Sequence, residues 1–420
     1  MRKPEILILN DFASVTGGSS AVAIASARGL AVRGYRVTYF SCVGPVAPQL
    51  RDVPDLEVIC LGQSELSKNP SKFEAFTSGL RNTRAVAALR AVLAGKDPAH
   101  TVVHAHTWML ALSPYALHEV NAMGFPLVLT LHDFFITCPS GGFYEHRAGA
   151  LCTRRPLSLS CVTCNCDRRN YGHKLWRTAR TVLQNSVLRV PAKVAHYVGV
   201  SHFATDLMRP YLPPATPVTI VRNPVDCVDE GPAPVAENER FLFVGRFVPD
   251  KGAGLFAEAV AATGLPATFI GDGALRPELE RRCPHAEFTG WLTAPEIRRH
   301  LHRARALVFP PLWYETLGLV AIEAAAAGVP VIVADRCAAT DFIADGKTGL
   351  HFAHGSASAL GAAMQRLAQD REHARRLGAA AYAWYWAAPW SSENHVAELI
   401  PLYESLFTTP TNPVLQEVAL

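Results

Sequence analysis

The sequence lacks the features of a secreted, membrane-spanning or nucleic-acid-binding protein. From Glu5 it runs into Ile-Leu-Ile-Leu without the charged region and small-residue cleavage site that together mark a signal peptide. No apolar run is long enough to span a bilayer. The formal charge of +4 over 420 residues is too small to indicate nucleic acid as a partner. We therefore expect a cytoplasmic protein without disulfide bonds.

Two common phosphate-binding loops are also absent. Neither G-x-G-x-x-G nor G-x-x-x-x-G-K-[ST] occurs, so nothing indicates a nicotinamide cofactor or a P-loop. A shorter glycine pair, Gly17-Gly18, follows the first apolar run and precedes an alanine-rich helical segment. Backbone amides at such a pair can approach an oxygen-rich ligand closely, aided by the helix dipole. An ordinary tight turn is the alternative interpretation.

Short apolar runs alternate with helical patterns along the chain. Continuous Val, Ile and Leu runs separated by helices predict parallel sheets covered on both faces, and their repetition predicts two doubly wound α/β domains facing a cleft. A Pro/Glu/Gly-rich stretch after Asn223 is the best linker candidate, so we assign an N-terminal domain to 1–222 and a C-terminal domain to 223–390. The predicted strands are Ile6–Leu9, Val37–Phe40, Val102–Ala105, Leu127–Leu131, Val198–Val200, Phe241–Val244, Thr268–Ile270, Ala306–Phe309 and Val329–Val333.

Two carboxylates stand in a nearly apolar stretch of the C-terminal domain. Glu315 and Glu323 are eight residues apart and follow Pro310 and Pro311, which places Glu315 on a loop and Glu323 in the next helix. An ionised carboxylate rarely stays among apolar residues without a partner, and a ligand hydroxyl in a cleft would be one. A capping or ion-paired role is the alternative.

Two cations follow another predicted strand of the same domain. Arg246 and Lys251 lie on the turn between Phe241–Val244 and the next helical segment. Cations beside a helix N-terminus oppose the helix dipole unless an anion lies between them. The pair therefore indicates a phosphate-bearing ligand, with a solvated turn as the alternative.

The order and spacing of these motifs resemble those of the retaining glycosyltransferases of family 4. The resemblance covers nearly the whole chain and implies the GT-B fold, in which two Rossmann-like domains face a cleft. One departure is the segment 338–341, Ala-Ala-Thr-Asp, where many relatives have a Gly-Gly-x-x-Glu turn. The motifs are Gly17-Gly18, His104-Ala-His106, His132-Asp133, Ser201, Arg222-Asn223-Pro-Val-Asp226, Gly245-Arg246, Lys251-Gly252, Gly271-Asp272-Gly273, Phe288-Thr-Gly290, Glu315 to Glu323, Gly328-Val-Pro330 and Asp345-Gly346-Lys-Thr-Gly349.

The resemblance implies a nucleoside-diphosphate sugar as donor, held mainly by the C-terminal domain. Arg246 and Lys251 would bind the diphosphate, Glu315 the transferred sugar and Glu323 the ribose hydroxyls. Fixed cations at the departing diphosphate would stabilise the transition state. No catalytic cofactor is expected, because no Asp-x-Asp metal site is evident.

The same resemblance implies roles on both walls of the cleft. His132 would face the sugar ring, most plausibly as a hydrogen-bonding group, with a structural histidine as the alternative. Acceptors in this family are glycans or lipid-linked hydroxyl compounds, and transfer retains the anomeric configuration. Backbone groups near the diphosphate or acceptor would come from Gly17, Gly18, Gly318, Leu319 and Val320.

Two other classes of function are compatible with these motifs. A nucleotide-sugar epimerase shares the GT-B architecture and would act without an acceptor. A non-catalytic, zinc-organised binding protein is the second alternative, and the set formed by Arg246, Lys251, Glu315 and Glu323 counts against it.

Five of the ten cysteines lie in an insertion at 138–166. Cys161 and Cys164 have the two-residue gap that lets two thiolates bind one metal ion, and others nearby could complete four ligands. A structural zinc site is our interpretation, and free reduced thiols are the alternative. The candidate ligands are Cys138, Cys152, Cys161, Cys164 and Cys166.

A basic segment at 168–193 follows the insertion and contains no acidic residue. Its apolar residues recur at helical spacing, which predicts a basic amphipathic helix. Such a helix can lie on an anionic membrane surface, so peripheral attachment at the inner face of the membrane is one interpretation. A helix packed on the core with a solvated basic face is the other. The predicted apolar positions are Leu175, Trp176, Ala179, Val182, Leu183, Val187 and Val190.

The closing segment at 391–407 resembles the element that crosses back to the first domain in GT-B proteins. We therefore assign it to the N-terminal domain. A crossing element of this kind can act as a hinge between the domains.

Overall fold

A computed structural model describes residues 2–408 of the chain and contains two parallel β-sheets. Both have the doubly wound form predicted from the sequence. The strands are β1 (Glu5–Phe12), β2 (Val37–Val43), β3 (Leu56–Cys60), β4 (Thr101–Ala105), β5 (Leu127–Leu131), β6 (Tyr144–Glu145), β7 (Ala150–Leu151), β8 (His196–Gly199), β9 (Val218–Ile220), β10 (Arg240–Val244), β11 (Ala267–Ile270), β12 (Glu287–Gly290), β13 (Ala304–Phe309), β14 (Val331–Ala334) and β15 (Gly349–Phe352).

Helices cover both sheets, and short single turns connect several elements. The helices are α1 (Gly18–Val32), α2 (Lys72–Leu80), α3 (Thr83–Ala94), α4 (Pro114–Ala122), α5 (Leu159–Thr163), α6 (Tyr171–Val182), α7 (His202–Met208), α8 (Ala253–Thr263), α9 (Arg276–Arg282), α10 (Ala294–His302), α11 (Leu319–Ala326), α12 (Ala357–Gln369), α13 (Arg371–Ala387) and α14 (Ser392–Thr408).

The strand order brings the predicted site residues to one edge of each sheet. The first sheet has the order β3-β2-β1-β4-β5-β8-β9 and the second β12-β11-β10-β13-β14-β15. The order reverses between β1 and β4, and again between β10 and β13, and ligands bind at such switch points beyond the carboxyl ends of the strands. The Gly17-Gly18 loop follows β1, the Lys251 turn follows β10 and the Glu315 loop follows β13.

The prediction of two parallel-sheet domains is confirmed, although several strands were missed. Strands β3 and β9 lie at the edges of the first sheet and bury few of their residues fully, so their apolar signal is weak. Strand β15 forms one edge of the second sheet, and β6 pairs with β7 as a small antiparallel hairpin inside the 138–166 insertion.

The last described helix, α14, packs against α1 in the N-terminal domain. Val396 and Tyr403 are fully buried in the cluster formed by strands β1 and β2 and helix α1. His395 also forms a 2.8 Å hydrogen bond with Ser26 of α1. The chain therefore leaves the N-terminal domain after β9 and re-enters it at its end.

The basic segment 168–193 differs from the single amphipathic helix that we predicted. Helix α6 ends at Val182 and continues as a π-helical turn and a 3₁₀ turn. The alternative of a core-packed helix with a solvated basic face is wrong for α6, because Lys174 and Arg180 are buried whereas Leu175 and Val182 are exposed. The reason is a buried polar interior: the Arg180 guanidinium donates to the Met109 carbonyl at 2.9 Å, and Asp11 of β1 and Asp133, two residues after β5, lie near it.

Candidate active site

Lys251 and Glu315 form an ion pair at the carboxyl edge of the second sheet. Lys251 Nζ binds Glu315 Oε2, and both side chains are largely shielded from solvent. The indole N–H of Trp313 donates to the same oxygen at 3.0 Å, and Lys251 Nζ lies 4.9 Å from the centre of the Trp313 ring. Glu315 Oε2 thus receives two donors, while Oε1 accepts no hydrogen bond from residues 2–407.

Arg246 stands apart from this pair. It follows β10 and is exposed, and within the described part of the chain it has neither a hydrogen-bond nor an ion-pair partner. An exposed, unpaired guanidinium at this edge is free to bind an anion bidentately. The backbone of Glu315 is held separately, because the Ala338 amide donates to its carbonyl at 3.1 Å. The departure at 338–341 thus supports the Glu315 loop directly.

Two helix N-termini meet across the cleft. The Gly17-Gly18 loop opens α1, and Gly318 precedes α11. A Cβ atom at position 18 would lie 3.2 Å from Leu319 Cδ1, so the two walls are in contact there. The first backbone amides of a helix have no partner within the helix and point outward. The amides at Leu319 and Val320 therefore lie where the sequence predicted an anionic group.

His132 connects the N-terminal domain to the Glu315 loop. Its carbonyl accepts a 3.0 Å hydrogen bond from the hydroxyl of Thr316, whose own carbonyl accepts one from Ser201 at 2.7 Å. Its Nε2 lies 2.9 Å from Nδ1 of His106, which is fully buried. Burial lowers the pKa of His132 to about 3, so both rings are neutral and His132 can donate or accept hydrogen bonds but cannot supply a cation near pH 7.

Glu323 lies one turn inside α11 and has no hydrogen-bond or ion-pair partner among the described residues. Burial raises the pKa of its carboxyl group to about 7, against a smaller opposite effect of Arg298. Such a group stays available for hydroxyl ligands that the protein itself does not supply.

We expect replacement of Glu323 by glutamine to make stability less dependent on pH. A carboxyl pKa that is raised in the folded state favours folding at low pH, and this contribution is lost as the pH rises through about 7. The glutamine variant should therefore gain roughly 2 to 3 kcal/mol relative to the parent between pH 5 and pH 8. Thermal unfolding at pH 5 and pH 8 measures this effect, with Glu258→Gln at an exposed position of α8 as the control. The same pH dependence in both variants would contradict a half-buried, unpaired Glu323 carboxyl group with a raised pKa.

The five cysteines of the 138–166 insertion have several polar partners, and Cys138, Cys161 and Cys166 all lie near the Lys174 ammonium. Cys161 accepts from the buried Lys174 ammonium at 3.6 Å, Cys164 donates to Glu145 at 3.4 Å, and Cys166 lies 3.2 Å from Ser140 Oγ. All are free thiols. Within residues 2–408, no three His, Cys, Asp or Glu side chains are grouped so that they could hold a metal ion. The donor set does not fit zinc as arranged, and zinc binding stays a prediction.

Several residues of this site were not assigned a role from the sequence. His106 and Ser201 were named only as parts of the family motifs, Thr316 lies within the Glu315 to Glu323 motif, and Trp313 was given no role. His106 carried a weak signal, because it alternates with His104 along β4 and so shares its face of the sheet. The contact of Thr316 with His132 had none, since 184 residues separate them.

Two family models match adjoining parts of the chain. Residues 16–229 match the model described as Glycosyltransferase Family 4, and residues 230–384 match Glycosyl transferases group 1. In the described part of the chain, no helix has both the length and the apolar character needed to cross a bilayer.

Several curated relatives of the chain are named as glycosyltransferases or mannosyltransferases. Glycogen synthase from Mycobacterium tuberculosis is 27% identical over 326 residues, covering 73% of this chain and 70% of the relative. A GDP-mannose-dependent alpha-mannosyltransferase from Mycolicibacterium smegmatis is 34% identical over 39% of this chain and 42% of its own. Sucrose-phosphate synthase from Thermosynechococcus elongatus has a similar structure, with a TM-score of 0.72, 20% identity and coverage of 97% of this chain and 99% of that chain. Anabaena HepE in complex with UDP is also similar, with a TM-score of 0.65 and 15% identity. The match covers 96% of this chain and 100% of that chain.

Proposed function

Because the chain belongs to glycosyltransferase family 4, we propose that it moves a hexose from a nucleoside-diphosphate donor to an acceptor hydroxyl with retention of configuration. The acceptor is a glycan or a lipid-linked compound. The observation that carries this proposal is the meeting of the two domains at the Lys251–Glu315 pair, which the hydrogen bond between Thr316 and His132 joins to the opposite wall.

The cations of the C-terminal domain are suited to bind the diphosphate of the donor. Glycosyl transfer places negative charge on the departing diphosphate, and preorganised cations and amides at that position lower the barrier. Lys251 is largely buried, which strengthens its field, and Arg246 is exposed and unpaired among residues 2–408. The first amides of α11 add a second source of positive potential.

The sugar and the ribose fit the two carboxylates. Glu315 Oε2 is held by Lys251 and Trp313, so Oε1 is directed to sugar hydroxyl groups. Glu323, four residues beyond Leu319 on the same helix, is the acceptor for the ribose hydroxyls. His132 offers a neutral imidazole to the sugar from the opposite domain.

Retention follows if the leaving phosphate oxygen takes the proton of the acceptor hydroxyl on the same face of the sugar. In that reaction Glu315 stabilises and orients the sugar and forms no covalent adduct. The new bond joins the acceptor oxygen to the anomeric carbon as the bond from that carbon to the phosphate oxygen breaks. The acceptor proton ends on the nucleoside diphosphate.

Turnover of defined donors tests this proposal. The relatives' names and complexes support UDP-glucose and GDP-mannose as first probes, because HepE is seen with UDP-glucose and one relative depends on GDP-mannose. We expect the purified protein to release UDP or GDP slowly even with water as acceptor, and NMR to show the α-anomer first. Interconversion of the donor sugar without release of nucleotide would support an epimerase instead. A β-anomer formed first would contradict retention.

A peripheral membrane partner is a second part of the proposal. Phe73 and Phe76 of α2 are 78% and 50% exposed, and the Phe76 ring lies 6.1 Å from Trp176 of α6. Three cations are also exposed in the same segments, Lys72 next to Phe73 and Arg168 and Arg169 just before α6. Apolar side chains beside Lys and Arg favour anionic bilayers. We expect the protein to co-sediment with phosphatidylglycerol vesicles but not with phosphatidylcholine vesicles. The double variant Phe73→Ser/Phe76→Ser should lose this binding. Equal binding of the parent protein to both kinds of vesicle would contradict the membrane proposal.

The third part of the proposal is a structural zinc ion bound by cysteines of the 138–166 insertion. The thiols of Cys161, Cys164 and Cys166 belong to one short stretch and are the ligands that a zinc ion would take if the insertion rearranged on binding it. Elemental analysis of the purified protein should find about one zinc ion per chain, which Cys161→Ser removes. Zinc-free protein with unchanged thermal stability would leave the cysteines as free thiols.

A further inference from the structure

Trp313 lies between the 138–166 insertion of one domain and the ion pair of the other. Its indole N–H donates to Glu315 Oε2 at 3.0 Å, and its ring faces Lys251 Nζ at 4.9 Å. On the insertion side, a Cβ atom at Gly142 would lie 3.3 Å from Cε3 of the indole. The backbone of the insertion is therefore packed directly on the ring.

Other residues of the insertion lie along the same wall of the C-terminal domain. Tyr144 and His146 both lie near enough to the buried Asp250 to be influenced by its charge. Asp250 precedes Lys251, and its carbonyl accepts a 2.9 Å hydrogen bond from the Leu312 amide. A cleft of about 500 Å³ between the β6–β7 hairpin and α8 is also lined by Leu312. The insertion thus borders both segments that carry the ion pair.

We propose that Trp313 is a positioning residue through which the docked 138–166 insertion sets the orientation of Glu315. The inference rests on the function proposed above and adds the insertion to the donor site. Lys251 alone fixes one oxygen of the carboxylate but not the plane of the group, because the terminal torsion of glutamate is soft. A second, directional donor at the same oxygen fixes that plane and presents Oε1 to the sugar. The indole can serve as this donor only while the insertion holds its ring.

Trp313→Phe and Trp313→Leu separate the hydrogen bond from the packing. Phenylalanine keeps an aromatic ring between Gly142 and Lys251 but lacks the N–H donor, whereas leucine lacks both. We expect kcat for UDP-glucose or GDP-mannose hydrolysis to fall about tenfold in Trp313→Phe and further in Trp313→Leu. KM should change less than threefold in Trp313→Phe, since Lys251 and Arg246 remain. A rise in KM with unchanged kcat, or no change in either, would overturn the proposal.

Trp386→Phe is the matched control. Its indole N–H donates to the Ala326 carbonyl at 3.0 Å, at the far end of α11, so the substitution removes the same type of bond from the same domain. We expect a similar loss of thermal stability in both phenylalanine variants, but a loss of kcat only in Trp313→Phe. An equal loss of kcat in both would show that stability, and not orientation, is what Trp313 contributes.

Gly142→Val tests the insertion itself. A branched side chain at this position displaces the indole ring, whereas Ser160→Val changes an exposed residue of the same insertion. We expect Gly142→Val to reproduce the kcat defect of Trp313→Leu and Ser160→Val to leave kcat within twofold of the parent. Full activity of Gly142→Val would refute the role of the insertion.

The indole N–H signals of the seven tryptophans give a readout that does not depend on turnover. Trp313→Phe identifies the Trp313 signal in a ¹H–¹⁵N spectrum. Glu315→Gln and Gly142→Val should both shift that signal, because one removes the charged acceptor and the other moves the ring. If the parent protein hydrolyses neither donor, the proposed function fails. The NMR measurement still tests whether the insertion and Trp313 position Glu315. A Trp313 signal unmoved by both changes would overturn it.

Discussion

Replacing Lys251 with methionine is expected to lower kcat/KM for a nucleotide sugar by roughly 10²- to 10³-fold, the range found when one preorganised charge-stabilising donor is removed. The ammonium is mostly shielded from water and lies at the carboxyl edge of the second sheet. Methionine keeps most of the apolar stem of the side chain and lacks the ammonium group, so the charge is the main loss. Steady-state hydrolysis of UDP-glucose or GDP-mannose measures the effect.

Because Lys251 is ion-paired with Glu315, Lys251→Met must be measured both in the parent protein and in the Glu315→Gln variant. Lys251→Met leaves the Glu315 carboxylate without its cation, which alone could misplace it. If Lys251 binds the diphosphate, the loss of kcat/KM should persist when Glu315 is already glutamine. If Lys251 only balances the carboxylate, the loss should disappear in that background. Lys347→Met, at an exposed position of the same domain, is the control and should stay within twofold of the parent.

Gly252→Ala is expected to be the most destabilising of these single changes. Gly252 joins the Lys251 turn to α8 with a φ of 77°, and a Cβ there would lie 1.8 Å from the Pro310 carbonyl oxygen. Alanine must therefore move the Lys251 turn away from the loop that begins at Pro310. We expect a loss of roughly 3 to 5 kcal/mol in unfolding free energy, seen as a large drop in melting temperature.

Gly254→Ala is the matched control for that change. It lies two residues further on, inside the first turn of α8, where no atom lies within 4 Å of an added Cβ. Alanine is favoured over glycine in a helix, so this variant should be as stable as the parent or slightly more stable. Similar melting temperatures for the two variants would mean that the close approach of Gly252 to Pro310 can relax without cost.

The two sheets and the edge on which the site lies could be predicted because their signals are local. Buried parallel strands such as β1 and β13 are continuous apolar runs, and glycine, proline and charged residues mark the loops after them. The motif pattern added the family, and it is also the source of the roles that we propose for Arg246, Lys251 and Glu315. Edge strands such as β3 escaped prediction because their partial burial leaves no such run.

What could not be predicted depends on contacts between distant segments. The burial of the basic face of α6 follows from Asp11 of β1 and Asp133 just after β5, which attract Arg180 from more than forty residues away. The alternative that the carboxylates are ion-paired holds for Glu315, whose partner is Lys251, and not for Glu323, which has none among residues 2–408. Spacing within the sequence carries no information on which of two similar carboxylates finds a cation.

The return of α14 to the N-terminal domain also affects the order in which the protein can fold during synthesis. Tyr403 donates or accepts a 2.7 Å hydrogen bond at the buried His104 of β4, and His395 contacts α1. The ribosome has therefore made the entire C-terminal domain before the first domain receives the residues that complete its interior. The half of the molecule that is translated first is the half that matures last, and a nascent chain stalled before residue 392 would expose the apolar faces of α1 and its sheet.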